Sequence, residues 1–284
     1  MFLIGAGIGT YEGVTDAMLI DIHPKKASMH ININHFFVTF GSIVITAYLI
    51  FLQTNWRNAI IQAGIIVLGL AVLFAFIKFI SSNRDAEPYL ERMKILTRDK
   101  LVVVFFIASA LVVGIEAGTI GILTTYLMDV REFTQVTSKI GLLVFLSAMA
   151  IGRIIIGILA PQEKINQIML TMFGCSVIVY SALFLIEQNI LIYVMIFLAG
   201  LSISALLPLM LAKAGLIYQE MAGTVLGSIK IAIPIGGIML PFVFSLLVKN
   251  LKFELSVILF PLTLLLAFIL IFATTVKINS PGKI

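Results

Sequence analysis

Residues 5–21 read GAGIGTYEGVTDAMLID, an apolar and glycine-rich stretch with two carboxylates, Glu12 and Asp16, well inside it. In a helix these two side chains, four residues apart, lie on one face. An ionisable group inside a bilayer costs at least about 2.5–3.5 kcal/mol and normally faces a cavity or a partner. The rest of the chain is mostly apolar and can shield these acids from lipid. The stretch therefore predicts a membrane protein with an ion or substrate path.

The composition supports this interpretation. Of 284 residues, 61% are apolar and 12% charged, and the mean hydropathy is +1.14, outside the range of soluble domains. A helix needs about 20 residues to cross a ~30 Å hydrocarbon core. The apolar runs are continuous and lack the alternation of barrel strands, which predicts an all-α integral membrane protein. Its predicted transmembrane helices are nine: 2–22, 29–52, 58–80, 100–128, 137–160, 165–186, 189–213, 222–248 and 254–277.

Lysine and arginine residues predict the orientation. With the N-terminus outside and the C-terminus in the cytoplasm, most basic residues fall on the cytoplasmic side, as the positive-inside rule requires. The net charge of +5 then follows from topology and needs no nucleic-acid partner. We therefore expect a multi-pass protein of the cell membrane. The predicted cytoplasmic residues are Lys25, Lys26, Lys78, Arg84, Arg92, Lys94, Arg98, Lys100, Arg153, Lys164, Lys213, Lys277 and Lys283.

One long polar stretch, residues 81–99, contains charges of both signs and is typical of a linker between two packed bodies. It divides the chain into a three-helix part at 1–80 and a six-helix bundle at 100–277. Residues 278–284 form a short cytoplasmic tail. We therefore predict two helical units joined by a cytoplasmic linker.

Charged residues inside the predicted spans are the candidate functional groups. Glu12 can carry protons, because a carboxyl group removed from water holds its proton more readily than one in water. Alternatively, Glu12 forms a permanent ion pair with Lys230 that only holds helices together. Asp16 lies nearer the cytoplasmic end, where water could reach it, so a transport role and a structural role are equally open. Lys230 lies too deep to reach the interface easily, so it can instead bind an anionic substrate.

Other polar residues have two interpretations each. His35 and Glu116 either line a substrate cavity or make hydrogen bonds between helices. Arg153 lies near the cytoplasmic boundary, which indicates a side chain that reaches toward the interface. Gly5 and Gly9 form a small-residue face suited to close helix packing. The three histidines have no Cys, Asp or Glu at ligand spacing, and we predict no metal or other cofactor.

Three motifs resemble one transporter family. They are Gly5-x-Gly7-x-Gly9-x-x-Glu12-x-x-x-Asp16, Asn32-Ile-Asn-His35-x-Phe37-x-x-Phe40-Gly41 and Gly152-Arg153-x-x-x-Gly157-x-Leu-Ala160. Together with Gly114-x-Glu116 they resemble the major facilitator superfamily, and within it the fucose-permease-like sugar:proton symporters.

The resemblance implies a fold of twelve helices in two six-helix halves joined by a cytoplasmic linker. The present segments are similar to helices four to twelve, with the first three absent, so residues 1–80 would be the remainder of an N-terminal bundle. It further implies proton coupling at Glu12 and gating at Gly152, Arg153 and Gly157. The family usually has asparagine where Asp16 stands, and Asp16 is predicted to assist proton coupling.

The sequence thus predicts a monomeric secondary transporter, not an enzyme, which moves a small solute such as a sugar together with protons through the lipid bilayer by alternating access. His35, Glu116 and Lys230 are its predicted substrate-cavity residues. Two alternatives stay open. One is an organic-anion exchanger that uses Lys230, and the other is a truncated membrane protein that transports nothing. A membrane-embedded enzyme is disfavoured because no nucleophile–base pair is evident.

Overall fold

The computed structural model describes residues 2–51, 56–77, 89–186 and 188–278, and these residues form helices without any strand. The helices are α1 (Phe2–Ile22), α2 (Ala27–Phe51), α3 (Trp56–Ala75), α4 (Tyr89–Leu96), α5 (Lys100–Asp129), α6 (Gln135–Leu159), α7 (Ile165–Leu183), α8 (Asn189–Ile203), α9 (Leu206–Ile217), α10 (Ala222–Lys230), α11 (Ala232–Asn250), α12 (Phe253–Ser256) and α13 (Leu259–Ile278). Short 3₁₀ turns precede α2, α7 and α10. The predicted all-helical class is confirmed.

Seven helical stretches among the described residues are long and apolar enough to cross a membrane. They contain α2, α5, α6, α7, the pair α8–α9, the pair α10–α11 and the pair α12–α13. The carboxylates Glu12 and Asp16 lower the hydropathy of α1, and the apolar part of α3 is only Ile60–Ala75. The count of nine spans stays a prediction.

Two of the spans are interrupted. The span Ile190–Ile217 breaks at Ser204 and Ala205, between α8 and α9, and the next span breaks at Ile231, between α10 and α11. Broken helices are tolerated in membranes where neighbouring groups satisfy the freed backbone atoms. Both breaks lie beside the charged residues of the candidate site.

The C-terminal helices form a packed body around large buried side chains such as Tyr126, Phe145 and Phe260. Helix α5 packs against α11 and α13, and α6 packs against α8. The α5–α11 contact depends on glycine, because a Cβ at Gly236 would overlap the carbonyl oxygen of Ala110. This body provides fixed positions for the charged residues of α5, α6 and α10.

The first two helices lie on that body. Helix α1 contacts α9 and α10, while α2 contacts α6 and α9. At the α2–α6 contact a Cβ on Gly157 would lie 2.8 Å from the Cβ of Asn32, so the helices approach closely there. The polar residues of α1 and α2 are thereby placed against the C-terminal helices.

The predicted linker and tail are described only in part. The second half of the linker contains the helix α4, whereas residues 81–88 and the tail residues 279–284 lie outside the described residues. Helix α3 exposes apolar side chains, including Ile65, Ile66 and Leu68, which suits contact with lipid. The domain boundaries therefore stay predictions.

Candidate functional site

Lys230 occupies the centre of a first group of charged residues, at the end of α10. Its ammonium group lies 2.7 Å from Glu12 Oε2 and 2.8 Å from Asp16 Oδ2. It also donates a hydrogen bond of 2.7 Å to the backbone carbonyl of Glu12. Only 5% of Lys230 is exposed, so one buried cation is shared by two carboxylates from α1. We call Lys230, Glu12, Asp16, Asn34 and His35 the lysine cluster.

Asp16 is completely buried in this cluster. Besides Lys230, it accepts a hydrogen bond of 2.8 Å from Asn34 Nδ2, and His35 Nε2 lies 3.3 Å from its second oxygen. Of the two environments that the sequence left open for Asp16, the enclosed one is observed. Its sequence position near the helix end did not indicate that α2 and α10 would enclose it.

Glu12 is less deeply buried than Asp16. Its side chain is 21% exposed and borders a cavity of about 410 Å³ between α1 and the α10–α11 break. The expected close packing at Gly5 and Gly9 is not found in the part of the chain that the structure describes, where no atom lies within 4 Å of a Cβ built at either position. The glycines instead widen the cavity. Its walls include Gly5, Ile8, Gly9, Glu12, Lys230 and Pro234.

Arg153 on α6 forms the centre of a second group. Its Nε donates 2.9 Å to the carbonyl of Ser204 at the α8–α9 break, and an Nη donates 2.8 Å to the carbonyl of His35. The same Nη contacts the Thr39 hydroxyl. The other Nη lies 3.2 Å from both carboxylate oxygens of Glu116. We call Arg153, Glu116, Thr39 and Ser204 the arginine cluster.

Arg153 is 2% exposed, so the expectation that its side chain reaches toward the interface is wrong. The reason is that Glu116, Ser204 and α2 together supply acceptors for the guanidinium, which is the usual condition for a buried charge. Gly152 allows this packing, since a Cβ there would overlap the Ser204 hydroxyl.

His35 connects the two clusters. Its ring contacts Asp16 in the lysine cluster, while its backbone carbonyl accepts from Arg153 in the arginine cluster. The residue is buried and is not part of the cavity wall beside Glu12. Of its two predicted environments, the hydrogen bond between helices is the one observed.

The structure thus brings six predicted residues, Glu12, Asp16, His35, Glu116, Arg153 and Lys230, into two adjoining clusters. It adds Asn34, Thr39 and Ser204, which the sequence analysis missed. A signal for Thr39 was its spacing of four from His35, which puts both on one face of α2. Among the described residues no group of His, Cys, Asp and Glu could hold a metal ion.

Comparisons with known proteins agree with this architecture. The sequence profile of the Major Facilitator Superfamily matches residues 1–229. A transporter of that superfamily, FucP in the outward conformation, superposes with a TM-score of 0.78 at 16% identity, over 96% of this chain and 74% of that chain. A single-residue variant of the E. coli fucose:proton symporter FucP gives 0.73 at 17% identity, over 96% of this chain and 75% of that chain. Comparison with curated protein sequences gives no match.

Proposed function

Because the chain belongs to the Major Facilitator Superfamily, we propose that it is a proton-coupled secondary transporter that moves a small solute by alternating access. The chain is a multi-pass membrane protein of a transporter family. In the proposed topology it lies in the cell membrane with its N-terminus outside. The observation that carries the proposal is the sharing of Lys230 between two carboxylates, one of which borders a cavity.

The arrangement of charges supports proton uptake by the lysine cluster. Two carboxylates, Glu12 and Asp16, share the ammonium group of Lys230, and Asp16 also contacts His35. One proton can therefore bind while the buried ammonium keeps a carboxylate partner. In the arginine cluster one carboxylate faces one guanidinium. A proton on Glu116 would leave Arg153 as a buried cation without a counter-charge, which is costly.

Within the lysine cluster, Glu12 is the better proton carrier. Asp16 is held by Asn34 and His35 in addition to Lys230 and has no exposed surface. Glu12 depends on Lys230 for its ion pair and is partly open to the cavity. A proton can therefore reach Glu12 without breaking the contacts of Asp16, which serves as the fixed counter-ion of Lys230.

Protonation and movement are coupled through the position of Lys230. The lysine lies on α10 of the C-terminal body, and both acids lie on α1, so their ion pairs tie α1 to that body. Protonation of Glu12 removes its ion pair with Lys230 and favours an arrangement in which α1 and α10 separate. A solute that prefers the same arrangement then becomes thermodynamically linked to the proton.

The solute is proposed to be a sugar or a similar small polar molecule. Support comes from the structural likeness to the fucose:proton symporter and from the cavity, whose size of about 410 Å³ is typical of small-molecule sites. At its base a carboxylate and an ammonium group lie side by side, so a solute hydroxyl can donate to the first and accept from the second.

Uptake into proteoliposomes tests the proposal. The purified chain is reconstituted, and entry of labelled L-fucose is measured with and without an inward proton gradient. We expect the gradient to raise uptake in the wild type. Glu12→Gln should lose this stimulation and retain exchange of L-fucose across the membrane. Equal stimulation of wild type and Glu12→Gln would overturn the role of Glu12.

A second candidate function is exchange of organic anions, which the position of Lys230 beside the cavity favours. It predicts counterflow of an anion such as labelled gluconate that is independent of pH and is lost in Lys230→Gln. Absence of transport for both probes would favour the remaining alternative, a membrane protein that transports nothing.

A further inference from the structure

A second cavity lies apart from the charged clusters, between the linker helix and the bundle. It is a groove of about 270 Å³ bounded by α4, the start of α5 and the end of α10. Its wall is mostly apolar, because the hydroxyl groups of its two polar residues donate to backbone carbonyls, Ser228 to Thr224 at 2.6 Å and Thr97 to Lys94 at 3.1 Å. The wall includes Met93, Val102, Val103, Phe106, Ser228 and Ile231.

Basic residues adjoin the groove in sequence. Lys94 on α4, Arg98 in the following turn and Lys100 at the start of α5 are all exposed, and each lies within two residues of a wall residue. Asp99, between the last two, accepts from the backbone of Leu101 and Val102 and from Tyr218. The three basic residues, which we call the basic rim, outnumber this acid, so the rim has a net positive charge.

The groove lies beside the start of a stretch that is long and apolar enough to cross a membrane and that begins at Lys100. We therefore place the basic rim near the membrane boundary, with Val103 and Phe106 deeper. In the proposed topology this boundary faces the cytoplasm, the leaflet in which anionic lipids attract basic segments near the membrane. The apolar groove suits the acyl chain of an anionic phospholipid, and the basic rim suits its phosphate.

The geometry points to a binding site for one anionic phospholipid, with its phosphate at Arg98 and Lys100 and an acyl chain in the groove between α4, α5 and α10. The site is separate from the proposed solute cavity, with which it shares one wall residue, Ile231. Because Ile231 follows Lys230 directly, a bound acyl chain would contact the helix break that holds the lysine cluster.

Native mass spectrometry of the purified full chain tests the site. The protein in mild detergent is titrated with phosphatidylglycerol and with phosphatidylcholine that carries the same acyl chains. We expect one copy of phosphatidylglycerol to bind about ten-fold more tightly than phosphatidylcholine. The double variant Arg98→Gln/Lys100→Gln should lose this preference. The matched control, Lys249→Gln/Lys252→Gln, removes two exposed charges from the opposite end of the bundle and should keep it.

A second pair of variants tests the acyl-chain groove independently of charge. Val103→Trp fills the groove with its basic rim intact and should abolish the tightly bound phosphatidylglycerol. Ile107→Trp, one turn further along α5 and also exposed, is the matched control and should retain it. Thermal unfolding identifies any variant that has lost its fold.

Three results would overturn the site. They are equal affinity for the two lipids in the wild type, an unchanged preference in both Arg98→Gln/Lys100→Gln and Val103→Trp, and displacement of phosphatidylglycerol by millimolar inorganic phosphate alone. The last result would indicate a simple anion site without an acyl-chain groove.

Discussion

The lysine cluster and the arginine cluster adjoin each other at His35, yet they differ in the balance of charge. Lys230 faces two carboxylates, and one of them borders a cavity. Arg153 faces one carboxylate and also donates to two backbone carbonyls, one on α2 and one at the α8–α9 break. If one carboxylate of the first arrangement binds a proton, Lys230 keeps the other, whereas Arg153 pairs with Glu116 alone.

This difference separates a group that can change its protonation from one that holds helices together. Removing one negative charge from the lysine cluster leaves an intact ion pair, between Lys230 and Asp16. Removing the one negative charge of the arginine cluster leaves a buried guanidinium. We therefore infer that proton coupling belongs to the lysine cluster and that the arginine cluster maintains the contact between α2 and the C-terminal body.

The largest effect is expected for Lys230→Met, which leaves Glu12 and Asp16 without their cation. Breaking a buried ion pair costs about 3–5 kcal/mol, and the variant should be destabilised by this amount at neutral pH. Thermal unfolding in detergent measures this loss. A variant as stable as Lys249→Met at neutral pH would contradict the prediction.

The next prediction compares the two glutamates directly. Glu116→Gln should reduce stability by about 2 kcal/mol, because Arg153 loses its counter-charge. Glu12→Gln should change stability by less than about 1 kcal/mol, since Lys230 keeps Asp16. The two substitutions are chemically identical and serve as controls for each other in thermal unfolding. Equal losses would show that the charge balance of the clusters does not matter.

A smaller loss of stability is expected for Gly157→Ala, which tests the close contact between α6 and α2. The added Cβ would lie 2.8 Å from Asn32 Cβ, and the resulting overpacking should cost about 1–3 kcal/mol. Gly174→Ala is the matched control, because no atom of the described residues lies within 4 Å of a Cβ there. It should be neutral or stabilising, since alanine favours helix over glycine. The opposite order of stabilities would refute close packing at Gly157.

The smallest effect is expected at Tyr218, outside both clusters. Its hydroxyl donates 2.5 Å to Asp99 Oδ2, and burial together with this hydrogen bond raises the pKa of Tyr218. The stabilisation by the neutral phenol is present below about pH 10 and is lost as the pH rises above it. Tyr218→Phe should cost about 1 kcal/mol at neutral pH, show a weaker alkaline loss and leave proton-driven uptake unchanged. A loss of coupling would contradict its position outside the site.

Much of the architecture could be predicted from the sequence. Continuous apolar runs predict transmembrane helices, because a helix satisfies its own backbone hydrogen bonds in a membrane. The charged residues inside these runs indicate the site. The pairing of Glu12 with Lys230 was one of two interpretations, because both residues lie deep in apolar segments. Whether that pair titrates or only holds helices together depends on Asp16, whose burial the sequence did not indicate.

The partner of Arg153 could not be predicted in the same way. The position of Arg153 near a helix end favours a side chain that reaches the interface. Acceptors for a buried guanidinium arise only when α5, α6 and the α8–α9 break pack together. Glu116 is 37 residues away in the chain. Such pairs depend on how helices are arranged around each other, which the apolar pattern of each helix does not specify.

Infrared difference spectroscopy tests the central claim most directly, because a protonated carboxyl group has a carbonyl band that a carboxylate lacks. The protein in lipid is cycled between acidic and alkaline buffer, and the wild type is compared with Glu12→Gln and Glu116→Gln. The account predicts one component of the wild-type carboxyl band that persists in Glu116→Gln and is missing in Glu12→Gln. A component that survives in Glu12→Gln and is missing in Glu116→Gln would contradict it.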